Sequence, residues 1–193
     1  MTTVSGALPF AILLLLAPLI AWRGRRRGTA TPVIAAQLLL AAWVAAIVSV
    51  TLFPLPWRTT PGRPIVVSRP GEWPLPWASI TPFATIGMSL NRGFGSLEGR
   101  VLIGNLVAFV PLGLLVPVVA PRWRSAARIL VLGLMASTAV ELAQLGWNLV
   151  IGMPWRSADI DDVIVNTAGA LLGYALWRAA AAVRGRRRLL SSA

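Results

Sequence analysis

The 193-residue chain contains no cysteine, no histidine and no lysine. The lack of cysteine excludes disulfides, zinc-thiolate sites and cysteine nucleophiles. The lack of histidine removes the side chain that ordinarily titrates near neutral pH. Any chemistry must therefore run on Asp, Glu, Arg, Asn, Ser, Thr or Tyr174, the one tyrosine. Charge is scarce too, at 12% of residues, against about 25% for a soluble domain. Hydrophobic residues make up 56% of the chain, and the mean hydropathy is +0.74. This composition describes a lipid-embedded helical bundle rather than a water-soluble core.

The net charge of +12 comes from 18 arginines against six acids. A nucleic-acid binder would gather such charge on a solvated face between aromatics. Here the arginines form short clusters between long apolar runs, the pattern of membrane topogenesis. Nucleic acid is therefore not an expected partner.

Five spans are predicted, at about 5–22, 32–53, 101–120, 129–150 and 161–181. Each reaches or approaches the ~20 apolar residues that a crossing helix needs. The first is read as a retained span, because Arg23, Arg25, Arg26 and Arg27 follow the apolar run, whereas a signal peptide has its charge before it. The second is rich in alanine and ends at Pro54 and Pro56. In the third, Pro111 and Pro117 are expected to kink the helix, which neighbouring helices tolerate in a membrane. Residues 54–100 hold eight of the 15 prolines, with Trp57, Trp73 and Trp77 interspersed. They read as an outer loop at headgroup depth, with a short interfacial or re-entrant piece around Trp77–Leu90. The organisation is thus a first span with its arginine cluster (1–30), a membrane domain (31–183) and a basic tail (184–193).

Orientation follows from the arginines. Placing the 23–27 cluster in the cytoplasm puts 12 arginines inside and six outside, most of the six on the long loop. Long loops count least in that rule, so the N-terminus is expected outside and the C-terminus inside.

Polar groups within spans are costly and usually face the bundle interior. Asn105 lies on the order of 6–8 Å below the outer end of the third span, at 1.5 Å per residue. Gln144 and Glu141 lie about 9 and 13 Å down the fourth, and Asn166 about 7 Å down the fifth. Three helices thus bring polar side chains to similar depth. Glu141 and Gln144, three apart, are expected to share a face. Asp162, Asn166, Gly169 and Gly173 form one stripe, whose lower half is a GxxxG that admits another backbone. Arg156, Asp159 and Asp161 stand at its mouth, where Asp159 or Ser157 suits a helix cap and the acids suit the helix dipole.

The segments NLVAFVPLGLL, STAVELAQL and RSADIDDVIVNTAGALLGY, in that order, resemble the VanZ-like family. The matching positions are Asn105, Phe109, Pro111, Leu112, Gly113, Glu141, Gln144, Arg156, Asp159, Asp161, Asp162, Asn166, Thr167, Gly169 and Gly173. The piece ITPF at Ile80–Phe83 resembles the family's Pro-Phe motif. The likeness covers roughly residues 35–180. It implies a multi-pass protein of a bacterial cytoplasmic membrane. The family is named for a glycopeptide-resistance protein that lowers sensitivity to teicoplanin, so it also implies a cell-envelope or antibiotic-resistance role.

Three readings use these residues. In the first, Asn105, Glu141, Gln144, Arg156, Asp159, Asp161, Asp162 and Asn166 bind a membrane amphiphile, such as a lipid-linked envelope precursor or a lipoglycopeptide. Arg156 would then pair with a phosphate or carboxylate. In the second, the chain is an enzyme. Asp159, Asp161 and Asp162 hold a divalent cation that orients a lipid phosphate, or Glu141 or Asp162 acts as general acid or base. No activated nucleophile and no evident cofactor accompany that reading. In the third, the polar groups only join helices, with Pro111, Gly113, Gly169 and Gly173 as packing positions. Five spans without an inverted repeat argue against alternating access. A homo-oligomer could supply what one chain lacks.

Overall fold

The structure is a computed structural model that describes residues 2–53, 55–57, 78–151 and 156–191. Five helices are long and apolar enough to cross a membrane: α1 (Leu8–Arg26), α2 (Thr31–Leu52), α4 (Leu97–Val119), α5 (Ala126–Ile151) and α6, apolar over Ile160–Gly185 and helical to Ser191. A short helix, α3 (Ala84–Arg92), precedes α4. The protein is an all-α membrane bundle. Its five crossings place the two termini on opposite sides. We call these sides the arginine end, with the α1–α2 and α4–α5 turns, and the acidic end, with α3 and the start of α6.

The helices outrun the predicted spans because their ends carry polar side chains. α1 continues through Arg23, Arg25 and Arg26, and Arg26 lies 4.5 Å from the Trp22 ring centroid. It stops at Gly28, whose φ of 64° is left-handed. The Thr29 N–H reaches the Gly24 carbonyl, and the Gly28 N–H reaches that of Arg25. This pairing closes a helix C-terminus tightly. α4 starts early because Ser96 accepts the Gly99 N–H at 3.1 Å, with Glu98 in the first turn where the dipole favours an acid.

The tightest crossing is α4 on α6. A Cβ at Gly169 would run into the Leu106 carbonyl, one at Gly173 into that of Val110, and one at Gly113 into that of Ala170. The GxxxG stripe and Gly113 therefore bring two backbones together, as expected of small residues in lipid. Phe109, Leu112, Val116, Ile129, Ala170 and Tyr174 form the core beside this seam. Trp43 of α2 meets Phe109 edge-on, with centroids 5.7 Å apart. Its indole N–H donates to the Ala108 carbonyl, in the stretch where Pro111 withholds an N–H from the helical ladder. α4 runs unbroken through Pro111 and Pro117.

Two short strand pairs lie at the acidic end. β1 (Thr2–Val4) runs antiparallel to β2 (Leu55–Trp57). β3 (Ala78–Ser79) runs parallel to β4 (Ala158–Asp159). The expected interfacial piece appears as α3. The expected depth of Trp73 and Trp77, and most of the proline-rich loop, lie outside the described residues.

Candidate functional site

The acidic motif is built around the N-terminus of α3. That helix begins after Pro82 and has no cap of its own. Its cap comes from α6. The fully buried Asp161 accepts the N–H groups of Phe83, of Thr85 at 2.8 Å and of Ile86 at 3.0 Å. A carboxylate meets both the unsatisfied N–H groups and the dipole at that end. Phe83 adopts φ 65°, a left-handed conformation that costs a bulky residue on the order of 1–3 kcal/mol unless its surroundings impose it. The Thr-Pro-Phe piece and Asp161 are thus two halves of one joint.

Asp159 caps α6 itself, accepting the Asp161 N–H at 2.9 Å with one oxygen and the Thr85 hydroxyl at 2.6 Å with the other. Glu141 of α5, only 9% exposed, accepts the Asp159 N–H at 2.9 Å. The charges of Asp162 and Asp159 both act on it. Asp162 faces the Asn105 side chain of α4. One turn further, Asn166 donates to Ser137 of α5 at 2.8 Å, and its sealed Oδ1 meets no donor among the described residues. Asn105, Glu141, Asp162 and Asn166 thus lie where α4, α5 and α6 pack together.

Two predicted members go elsewhere. Gln144 shares the Glu141 side of α5 but reaches α2 and donates to the Thr51 carbonyl at 3.0 Å. Three residues advance a helix about 300°, so such a pair is offset by about 60°, enough to face different neighbours. Arg156 donates to the carbonyls of Val50 at 3.0 Å and Phe53 at 3.3 Å. Both therefore cap the C-terminus of α2. The Val50 carbonyl needs such help, because residue 54, its ladder partner, is a proline without an N–H. Arg156 is engaged with backbone rather than held out toward an anion.

Three further contributors stand in the structure. Asn148, fully buried, brackets the Arg156 backbone, donating to its carbonyl and accepting its N–H. Ser137 receives Asn166, and Thr85 bridges α3 to Asp159. Ser137, Glu141, Gln144 and Asn148 recur at spacings of four, three and four, one helical stripe; that spacing was the available signal for Ser137 and Asn148.

Beside this network lies an open groove of about 220 Å³ between α5, the start of α6 and the β3–β4 pair. Ile80, Leu142, Leu145, Ile160 and Val163 supply apolar walls, and Glu141 and Asp159 are its acids. The Glu141 oxygen not bound to Asp159 has no donor among the described residues and is not fully buried. Among the described residues no group of three or more acids is arranged to hold a metal ion. Both oxygens of Asp161 already accept N–H groups.

Comparison with known proteins adds one finding. No curated protein and no solved structure matches the chain. The family model described as VanZ/LLP1 matches residues 39–181, a stretch containing α4, α5, the acidic motif and the GxxxG seam. With the Asp-Asp joint, the Glu141 helix and the α4–α6 crossing all inside that stretch, the chain belongs to the VanZ/LLP1 family.

Proposed function

We propose that the protein recognises an amphiphile of the outer leaflet through the groove beside Glu141. The observation that carries this reading is a carboxylate with an unoccupied oxygen at the edge of an otherwise apolar groove within a membrane bundle. Apolar walls with a few placed polar groups are the usual form of a ligand site. An acidic groove favours hydrogen-bond donors, such as amines, amides and hydroxyls, over phosphate. With Arg156 turned to the end of α2, the phosphate pairing has no cation in this groove. Lipoglycopeptides join an apolar tail to a donor-rich sugar and peptide head without a phosphate and fit this groove best; lipid-linked envelope precursors offer the same donors but carry a phosphate link that must lie outside it. The arginine distribution supports placing the groove on the outer side of a bacterial cytoplasmic membrane. A role in envelope-antibiotic sensitivity, as the family's name suggests, follows from such binding.

The test is ligand binding to the full chain in lipid nanodiscs, with a lipoglycopeptide and a lipid-linked peptidoglycan precursor as probes. Glu141→Gln keeps an acceptor for Asp159 but removes the charge, and a lost charge-assisted contact weakens donor-rich ligands on the order of tenfold or more. Thr138→Trp fills the groove and leaves Glu141 in place. Unchanged affinity in both variants refutes the proposal.

A structural reading has its own support. Asp161, Arg156 and Gln144 all cap helix ends, so much of the motif serves the frame. The two readings divide the residues between them: the caps hold α2 and α3, and Glu141 faces the ligand.

A further inference from the structure

A second groove lies at the opposite end of the molecule, between α1 and α2, and only 6% of the apolar stretch of α1 is buried. At the arginine end a cavity of about 300 Å³ is lined by Ile20, Arg23, Gly24, Arg27, Thr29 and Gln37. Arg23 and Arg27 are four apart and share a face of α1. The tight turn at Gly28 brings Thr29 beside them, and Gly24 is pressed against Ile34. Gln37 is the one amide of α2, on the order of 9 Å further in from Thr31. No acid lines the cavity, and the first 71 residues contain none.

The same groove continues as an apolar trough. A space of about 390 Å³ runs along Pro9, Leu13, Leu16 and Ile20 on one side and Ala41 and Val48 on the other. Ile20 lines both spaces. From Ile20 to Pro9 is about 16 Å along the helix, close to the ~15 Å depth of one leaflet's hydrocarbon. A paired-guanidinium pocket at headgroup level thus opens onto a trough one acyl chain long.

We infer that the α1–α2 groove binds an anionic glycerophospholipid of the cytoplasmic leaflet. Its phosphate lies between Arg23 and Arg27, with the Thr29 hydroxyl as a further donor. Gln37, being deeper, reaches the ester linkage, and one acyl chain follows the trough from Ile20 to Pro9. Charge complementarity selects the lipid: two cations and no anion line the headgroup pocket. All of α1 lies outside residues 39–181, while Ala41 and Val48 of the trough lie inside them, so the headgroup pocket belongs to this chain's own N-terminal hairpin. It is independent of the outer groove.

Native mass spectrometry of the full chain in mild detergent tests this, with phosphatidylglycerol, phosphatidylcholine and inorganic phosphate as probes. The expected result is on the order of tenfold preference for phosphatidylglycerol, the scale of a charge-assisted pair, with lipid not displaced by inorganic phosphate. Arg23→Gln with Arg27→Gln abolishes the preference. Arg25→Gln with Arg26→Gln removes the same charge outside the cavity and keeps it. Leu16→Trp fills the trough without changing charge and lowers retention of the lipid. Equal binding of the two lipids, equal loss in both arginine pairs, or displacement by inorganic phosphate overturns the inference.

Discussion

Replacing Asp161 separates the frame from the site most directly. Its carboxylate is fully buried and accepts three N–H groups at the start of α3. Three bonds to a charged acceptor, at about 1.5–3 kcal/mol each, bound the loss at about 4–9 kcal/mol. Water reaches the exposed Phe83 end and returns part of this, so about 3–5 kcal/mol is expected for Asp161→Ala, the range for breaking a buried charged contact. α3 is not one of the five long crossing helices, so the loss is expected as local opening of that helix. At about 1.4 kcal/mol per factor of ten, opening rises on the order of 10²- to 10⁴-fold. The cysteine-free chain suits a thiol assay. Ser89 of α3 is fully buried, and Ser89→Cys reports opening through its maleimide labelling rate. Asp161→Asn can turn its one acceptor oxygen toward Thr85 and Ile86 and lose only Phe83, so its effect is smaller, on the order of tenfold. Labelling in Asp161→Ala within about threefold of the parent, under half of one such factor of ten, refutes the assigned role.

Two further outcomes follow from the geometry. Arg156→Lys keeps the charge but loses the forked geometry over Val50 and Phe53; about 1–3 kcal/mol of stability is lost, read as faster hydrogen exchange confined to the last turn of α2. Gly173→Ala drives a Cβ into the Val110 carbonyl and costs about 3 kcal/mol or more as the α4–α6 seam parts, whereas Gly104→Ala, with open space around it, is neutral or stabilising by up to about 1 kcal/mol; thermal unfolding in detergent ranks them, and equal melting temperatures remove the argument for a backbone-close seam.

The five spans were legible because lipid requires long apolar runs, and runs of that length need no partner to be recognised. Their ends were less legible: a helix continues into its arginines and stops where Gly28 turns left-handed, which depends on backbone conformation. Convergence of Asn105, Glu141, Asp162 and Asn166 could be read from depth along three helices. The destinations of Gln144, Arg156 and Asp161 could not, because each binds main-chain groups, and a carbonyl or N–H in a distant element leaves no mark in residue type. One trace did exist. Pro54 withholds an N–H from the Val50 carbonyl, so some donor had to be found, and Arg156 is that donor. The β3–β4 pairing had no such trace, since Ala78 and Ala158 carry no pattern that a two-residue strand can reveal.

The motif's acids are alike in type but not in situation, and this difference bears on function. Asp161 lies with both oxygens filled by α3, and Asp159 with both filled by Thr85 and its own helix. Asp162 faces an amide across the α4–α6 seam. Glu141 holds backbone with one oxygen and is one of the residues lining the groove beside α5. A carboxylate needed only for packing would gain from having its second oxygen satisfied, because an unpaired acceptor at that depth costs free energy. Glu141 keeps one oxygen without a donor among the described residues, and under the proposed function a ligand's donor completes it.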